Sequence, residues 1–186
     1  MAPSTDTSGM EFEVFLSFRG PDTRVDFTSF LYHDMVEKGI RVFKDDKELN
    51  VGEKIEKIFK ALNDSQIYIP ILSKDFASSA WCLREVVRMV DCAKNSNGKK
   101  EIFPIFLDVK PEDVKSSTGL YSNALSLLKE EKAKYGDEEE TLKYDPDEVK
   151  SWRDALREVA SITGWKREGK EKKEMYEQSL WRSLIT

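Results

Sequence analysis

The strongest constraint on the fold is an alternation of short apolar runs with amphipathic helical patterns. Apolar runs occupy residues 12–17, 40–43, 66–72 and 102–107, and a short candidate for a fifth strand lies at 164–166. Between them, apolar residues recur at spacings of three and four, which is typical of one face of a helix. Strands that alternate with helices form βαβ units, so the sequence predicts an α/β domain with a parallel sheet covered on both faces.

The positions of the helices follow from their apolar stripes and end signals. The first helix is predicted to start near Asp22 or Thr23 and to stop at Gly39. The charged segment 44–53 is predicted to be a loop with Gly52 as its hinge. The apolar stripes that predict the next two helices are Ile55, Ile58, Phe59 and Leu62, then Leu83, Val86, Val87 and Val90. Similar stripes predict helices around 120–128, 149–159 and 176–184.

Two prolines lie inside predicted strands. Pro70 and Pro104 each lack the N–H that a sheet interior requires, so the rule for strands places them at edges or bulges. The apolar residues around both prolines still favour strands.

Composition narrows the class of protein. The chain has 186 residues with a formal net charge of -5, which fits one domain and argues against a general nucleic-acid binder. Cys82 and Cys92 are predicted to be reduced thiols, and no apolar run is long enough for a membrane span. We expect a disordered leader at 1–10, a single domain at 11–186, and a cytoplasmic location with the nucleus as a second one.

Two segments carry the polar residues that suggest a binding site, namely 15–24 and 79–85. Each follows an apolar run and opens a helical pattern, and ligands of open α/β sheets bind at that position. The first segment offers the guanidinium groups of Arg19 and Arg24. The second places Trp81 and Glu85 four residues apart, on one side of a helix. Together they predict a pocket for a flat, anionic and cleavable molecule.

Several common chemistries are disfavoured by what the sequence lacks. It contains neither the glycine-lysine loop of P-loop ATPases nor the Gly-x-Gly-x-x-Gly fingerprint of dinucleotide-binding Rossmann domains. His33 is the only histidine, so neither a metal site nor a histidine-based triad is expected.

Ordered motifs along the chain resemble a known family. Residues 14–24, VFLSFRGPDTR, resemble the opening of plant Toll/interleukin-1 receptor (TIR) domains. Residues 43–49, 65–73 and 81–86 resemble the next family segments in order. The similarity continues through 102–106, 152–156 and Gly164-Trp165, and covers about residues 12–186.

The resemblance implies a flavodoxin-like TIR fold with about five parallel strands and a role in plant innate immunity. It implies a domain that associates with other TIR domains and hydrolyses the nicotinamide–ribose bond of NAD or NADP, which triggers defence or cell-death signalling. NAD or NADP is then the substrate, and neither a cofactor nor a metal is implied. Glu85 matches the catalytic glutamate of the family. Because nicotinamide leaves as a neutral molecule, one carboxylate beside the ribose suffices, without the second acid of glycosidases.

The remaining predicted site residues surround Glu85. Trp81 is expected to stack on a base or on ribose, with core packing as the alternative. Arg19 and Arg24 are expected to hold phosphates, with ion pairs to Asp22, Asp45 or Asp46 as the alternative. Gly20 and Ser17 complete the substrate-binding set.

The chain departs from the family pattern in the loop after the second strand. Active members often carry a basic residue directly before the loop glycine, whereas Asn50 and Val51 precede Gly52 here. Lys47 or Lys54 is the predicted substitute, in a loop near the site that also holds Asp45 and Asp46.

A second departure lies in the first helix, where Ser29-Phe30 replaces the Ser-His pair of some members. The predicted self-association surface comprises Ser29, Phe30, His33 and Trp181. Two hypotheses follow. The Trp81/Glu85 pair favours an enzyme activated by self-association, and the altered loop favours a non-enzymatic adaptor that only assembles with other TIR domains.

Overall fold

The computed structural model describes residues 11–23, 27–44, 51–115, 117–130 and 144–167. Backbone alone is described for 22–23, 51–54 and 165–167. The predicted leader at 1–10 and the predicted helix at 176–184 lie outside the described residues, as do Arg24, Asp45, Asp46, Lys47 and Trp181.

Strands and helices alternate along the described chain, as the sequence predicts. The strands are β1 (Val14–Phe18), β2 (Val42–Lys44), β3 (Ile67–Leu72), β4 (Glu101–Ile102), β5 (Ile105–Leu107) and β6 (Trp165–Arg167). The helices are α1 (Gly20–Thr23), α2 (Phe27–Glu37), α3 (Val51–Asp64), α4 (Ala80–Lys94), α5 (Pro111–Lys115), α6 (Leu120–Glu130) and α7 (Pro146–Val159). A short 3-10 helix, Phe76–Ser78, precedes α4.

All strand pairs are parallel, in the order β2-β1-β3-β5-β6, and β4 also pairs with β3. β4 and β5 pair with successive parts of β3, so together they act as one interrupted strand. The described sheet therefore has five strand positions. This order is the flavodoxin-like one, and the predicted fold class is confirmed.

The two strand prolines occupy a gap between β4 and β5. Pairing of β3 with β4 ends at Tyr68–Ile102, and pairing with β5 resumes in the same register at Ile71–Ile105. Continuing that register across the gap places Pro70 opposite Pro104. The Tyr68 carbonyl accepts from the Phe103 amide, so the even-numbered residues of β3 face this neighbour. The Pro70 nitrogen therefore faces the gap, where its missing donor interrupts the ladder. The Pro104 nitrogen faces away from β3, one residue before the pairing with β6 begins at Ile105, so neither proline removes a ladder bond that the sheet forms.

The sheet separates two apolar clusters because side chains alternate between the faces of a strand. On one face, Val14, Leu16 and Phe18 of β1 pack with Leu31 and Met35 of α2. On the other face, Phe15 belongs to the larger cluster. That cluster includes Ile58 and Leu62 of α3, Leu83 and Val86 of α4, Tyr121 of α6, and Trp152 and Leu156 of α7. The same alternation directs Ser17 towards the face covered by α4.

Three details concern predictions from local pattern. Gly39 follows the end of α2 with a φ of +82°, and its N–H donates to the carbonyl of Val36, which confirms the predicted stop of this helix. The prediction that Gly52 is a loop hinge is wrong, because α3 begins at Val51 and contains both Gly52 and Lys54. The prediction that Phe59 belongs to the apolar stripe of α3 is also wrong. It is 44% exposed, while Ile58, Ala61 and Leu62 are buried.

The last strand is held against the sheet by a close backbone approach. A Cβ atom added to Gly164 would lie 2.4 Å from the carbonyl oxygen of Pro104 and 2.8 Å from the ring of Phe106. Only glycine allows this approach, which leads directly into β6. Within the described residues, no helix has both the length and the apolar character needed to cross a bilayer.

Candidate functional site

The candidate site lies at the carboxyl ends of β1 and β3. The chain order reverses between these neighbouring strands, and open α/β sheets bind ligands at such a switch point. Arg19 and Gly20 follow β1, and Ser73 follows β3. The 3-10 helix then leads from Ser73 into α4, so the amino-terminal turn of α4 reaches the same end of the sheet.

The start of α4 is fixed by hydrogen bonds. Ser79 is its N-cap, and the Ser79 hydroxyl accepts from the backbone N–H of Cys82 at 3.3 Å. The Cys82 thiol is buried and donates to the backbone carbonyl of Phe18 at 3.5 Å. The sequence had indicated only a small, partly buried thiol at this position. Its contact with the end of β1 fixes the first turn of α4 against the central strand.

Glu85 is buried, with 5% of its surface exposed, beside the end of β1. The Ser17 hydroxyl donates to Glu85 Oε2 at 2.5 Å, and Ser17 is itself 1% exposed. A charged carboxylate at this depth costs free energy unless hydrogen bonds compensate it. Glu85 is therefore not a solvated glutamate on the outer face of α4, although the apolar stripe of α4 alone does not predict this burial.

Trp81 lies one helical turn before Glu85 and packs half-buried against the larger apolar cluster. Its indole Nε1 is buried and has no hydrogen-bond partner among the described residues. An unpaired buried donor costs about 1–3 kcal/mol. The indole thus combines the core packing that was the alternative for Trp81 with a donor that a ligand could satisfy.

Of the other predicted substrate contacts, the structure describes Arg19 and Gly20. Arg19 is half-buried between β1 and α1, and Gly20 is the first residue of α1. Both lie at the same end of the sheet as Ser17 and Glu85. The partners proposed for Arg19 in the ion-pair alternative lie outside the described side chains.

Two ion pairs join α4 to α7, and neither was predicted from the sequence. Arg84, next to Glu85, donates from Nε to Glu148 Oε1 at 2.6 Å, and its guanidinium lies over the ring of Tyr144. The hydrogen bond to Glu148 raises the pKa of Arg84 above its usual value. Lys94 at the other end of α4 pairs with Glu158 at 2.6 Å. The two basic residues, Arg84 and Lys94, have the same spacing along α4 as the two acidic residues, Glu148 and Glu158, have along α7. This equal spacing of opposite charges could have revealed the pairing.

The described members of the predicted self-association set lie on the opposite face of the sheet. On α2, Ser29 and Phe30 are half-buried and His33 is exposed, with its ring edge-on to Tyr32 at 5.4 Å. This helix is separated from α4 by the sheet, so a contact through its outer face would leave the candidate site open.

The site offers one carboxylate, one indole and one guanidinium around the end of β1. Among the described residues, no three histidine, cysteine, aspartate or glutamate side chains are close enough to hold a metal ion. A lone buried carboxylate can stabilise positive charge that develops on a bound molecule, and a guanidinium can hold an anionic group.

Comparison with known proteins gives the same assignment throughout. The family model described as TIR domain matches residues 11–185. The TMV resistance protein N of Nicotiana glutinosa is 40% identical over 88% of this chain, and disease resistance protein RUN1 of Vitis rotundifolia is 40% identical over 83%. The chain spans only 13% and 11% of the length of these two relatives.

Solved structures agree with the sequence relatives. The TIR domains of the activated Roq1 resistosome, which directly recognises the pathogen effector XopQ, match with a TM-score of 0.76 and 33% identity. The match covers 93% of this chain and 99% of that one. The chain therefore belongs to the TIR domain family, and its relatives are plant disease resistance proteins.

Proposed function

We propose that this TIR domain self-associates and then hydrolyses the bond between nicotinamide and ribose in NAD or NADP, as part of plant immune signalling in the cytoplasm. The observation that carries the proposal is the buried Glu85 carboxylate at the end of β1, held by Ser17 at the switch point of the sheet. A glutamate without a chemical role would cost less free energy on the surface of α4.

The proposed reaction needs little from the protein beyond charge and position. The bond between C1′ of the ribose and the pyridinium nitrogen breaks, and its electron pair neutralises the nicotinamide. Positive charge then develops on the ribose, where the Glu85 carboxylate stabilises it. A water oxygen bonds to C1′ and its proton passes to solvent, so the products are nicotinamide, ADP-ribose or its phosphate, and one proton.

The neighbouring residues supply binding and orientation. The indole of Trp81 packs against a base or the ribose, and its free N–H finds an acceptor on the substrate. The guanidinium of Arg19 holds a phosphate, as the sequence predicts, and Arg24 is proposed to assist it. Asp45, Asp46 and Lys47 are proposed to lie near the bound substrate, whereas Gly52 and Lys54 contribute from the first turn of α3.

Self-association is proposed to occur through the outer face of α2, with Ser29, Phe30 and His33, and through Trp181. The solved TIR domains at 33% identity come from an activated resistosome, which supports assembly as a property of such domains. If assembly completes the site, the activity per molecule rises with protein concentration.

The test follows nicotinamide release from NAD and from NADP over a wide range of protein concentration. We expect activity per molecule to increase with concentration and to be lost in Glu85→Ala, with circular dichroism showing an intact fold. Full activity in a folded Glu85→Ala protein would contradict the catalytic assignment. A protein that assembles without releasing nicotinamide would instead be the non-enzymatic adaptor.

A matched pair of variants tests the proposed interface. Ser29→Glu places a charge on α2, and Ser126→Glu places the same charge at an exposed position of α6, on the other face of the sheet. We expect Ser29→Glu to lower both nicotinamide release and the sedimentation coefficient at high concentration, and Ser126→Glu to change neither. Constant activity across concentration, with Ser29→Glu silent, would rule out this interface.

A further inference from the structure

Two successive residues of β1 contact the first turns of α4. The Ser17 hydroxyl donates to Glu85, and the Phe18 carbonyl accepts from Cys82. Cys82 and Glu85 are three residues apart, so both point from the same side of the helix towards the strand. All of these side chains except that of Phe18, at 8%, are at most 5% exposed. The end of the central strand is thus bonded to α4 at two adjacent points.

We propose that Ser17 is a positioning residue that fixes the Glu85 carboxylate for catalysis, in place of the direct substrate contact that the sequence predicts. The proposal rests on the function proposed above, in which Glu85 acts on the substrate. Ser17 is 1% exposed and its hydroxyl hydrogen is given to Glu85 Oε2, so the side chain offers a substrate neither surface nor a donor.

The position of Ser17 follows from the alternation of β1. Val14, Leu16 and Phe18 face the α2 side, whereas Phe15 and Ser17 face the α4 side. An apolar residue at position 17 would fill the same space but would leave a buried carboxylate oxygen without this donor. A serine in an otherwise apolar strand is therefore explained by the carboxylate opposite it.

The hydroxyl acts on Glu85 in two ways. It fixes the side-chain rotamer and the plane of the carboxylate, because the donor sits on a rigid central strand. It also favours the charged form of the carboxylate, which burial disfavours and which the reaction requires. The ionisable groups within three residues of Ser17 or Glu85 in sequence are Arg19, which follows β1, Cys82, bonded to Phe18, Arg84, paired with Glu148, and Arg88, bonded to Asn63.

The experiment compares Ser17→Ala and Ser17→Cys with the full-length parent chain. For Ser17→Ala we expect kcat for nicotinamide release to fall about 10- to 100-fold, the value of one hydrogen bond to a charged group, with KM within about twofold. Ser17→Cys keeps a weak donor of similar size and should be intermediate. A residue that touched the substrate would raise KM instead, and that result would overturn the proposal.

A second measurement does not depend on activity. The carbon-13 signal of the Glu85 carboxyl group, followed through a pH titration, should show a higher pKa in Ser17→Ala than in the parent protein. An unchanged pKa together with an unchanged kcat would refute the positioning role. If the parent protein releases no nicotinamide, the proposed function fails, while the titration still decides whether Ser17 controls the carboxylate.

The matched control is Ser122→Ala. Ser122 is also buried, and its hydroxyl donates to the carbonyl of Ser117 at 2.7 Å, away from α4. Like Ser17→Ala, the Ser122→Ala variant removes a buried serine hydroxyl, but this hydroxyl does not bond to Glu85. We expect its kcat and the pKa of Glu85 to remain those of the parent, and a fall in kcat equal to that of Ser17→Ala would reduce the role of Ser17 to general stability.

Discussion

Two sets of polar side chains at opposite ends of the sheet donate to different kinds of acceptor. At the amino-terminal end, Lys100 donates to the carbonyls of Asn63 and Ser65, both at 2.6 Å, and the Tyr68 hydroxyl donates to the carbonyl of Leu62 at 2.5 Å. At the carboxyl-terminal end, Ser17 donates to the carboxylate of Glu85. The first acceptors are backbone carbonyls in and just after the last turn of α3, whereas the second is an ionisable side chain.

This difference separates stability from chemistry. Carbonyl groups cannot change charge, so bonds to them at the end of α3 serve the fold alone. A buried carboxylate costs free energy and gains value only where a reaction uses its charge. Loss of a donor to a backbone carbonyl should therefore lower stability without changing kcat, whereas loss of the donor to the Glu85 carboxylate should lower kcat.

The largest expected effect is that of Glu85→Gln. The amide oxygen still accepts from Ser17, but the charge is gone, so we expect nicotinamide release to fall at least about 100-fold, or ~2.7 kcal/mol. The free energy of unfolding should stay the same or rise, because a buried charge has been removed. Urea unfolding and nicotinamide release measure both quantities, and a large loss of stability with retained activity would invert the comparison.

Arg19→Ala should give the next largest effect. Phosphates are remote from the bond that breaks, so we expect KM to rise about tenfold with kcat within about twofold. Arg88→Ala removes an exposed guanidinium at the other end, where it bonds to Asn63 at 3.1 Å, and should leave KM unchanged. A fall in kcat alone for Arg19→Ala would argue against a phosphate contact.

Local pattern reveals the sheet better than it reveals the site. The apolar runs suffice to place β1 and β3, because a central strand buried on both faces must be apolar throughout. The burial of Glu85 could not be read in this way. The stripe of Leu83, Val86 and Val90 marks one face of α4, whereas Glu85 meets β1 through a contact 68 residues away in sequence.

Two other differences also have causes outside the local sequence. Gly52 disfavours a helix in isolation, yet α3 starts at Val51 and its buried face includes Ile58 and Leu62. The rule for strands disfavours Pro70 and Pro104 when each is considered alone. Only the pairing register shows that they stand opposite each other, with the Pro70 nitrogen at the gap in the ladder and the Pro104 nitrogen facing away from β3.

Tyr68→Phe tests the amino-terminal end directly. The ring stays, but the Leu62 carbonyl loses its donor, so we expect a loss of about 1 kcal/mol in the free energy of unfolding. Activity per folded molecule should not change. Tyr121→Phe is the matched variant, since it removes a bond to the Ser73 carbonyl at the opposite end of the sheet. Unchanged stability in both variants would show that bonds to carbonyls do not support this fold.

A smaller effect at the amino-terminal end of the sheet is the pH dependence of stability that Lys100 and Tyr68 cause. Burial lowers the pKa of Lys100 below its usual 10.5, and burial raises the pKa of Tyr68. For Lys100 the unfolded chain binds more protons just below pH 10.5, so its contribution to stability grows as pH rises through that range. The Tyr68 contribution has the opposite sign and is lost above about pH 10, where the unfolded tyrosine ionises.

A difference measurement isolates the lysine. The free energy of unfolding of the parent minus that of Lys100→Met should become more favourable to the parent as pH rises towards about 10, since Tyr68 ionises in the unfolded chain only near and above that pH. A difference that stays flat over this rise in pH would mean that burial does not affect the amine.

The smallest expected effect, that of Ser65→Ala, is also the sharpest test of the comparison. Ser65 and Ser17 are both essentially buried, but the Ser65 hydroxyl has no hydrogen-bond partner among the described residues. Removing an unpaired buried hydroxyl should leave stability within about 0.5 kcal/mol of the parent or slightly higher, because its desolvation cost disappears. The bonds from Lys100 reach the backbone carbonyls of Asn63 and Ser65, which alanine retains. If Ser65→Ala lowered stability by about 1 kcal/mol or more while Ser17→Ala left kcat intact, the proposed difference between the unpaired hydroxyl of Ser65 and the paired hydroxyl of Ser17 would be wrong.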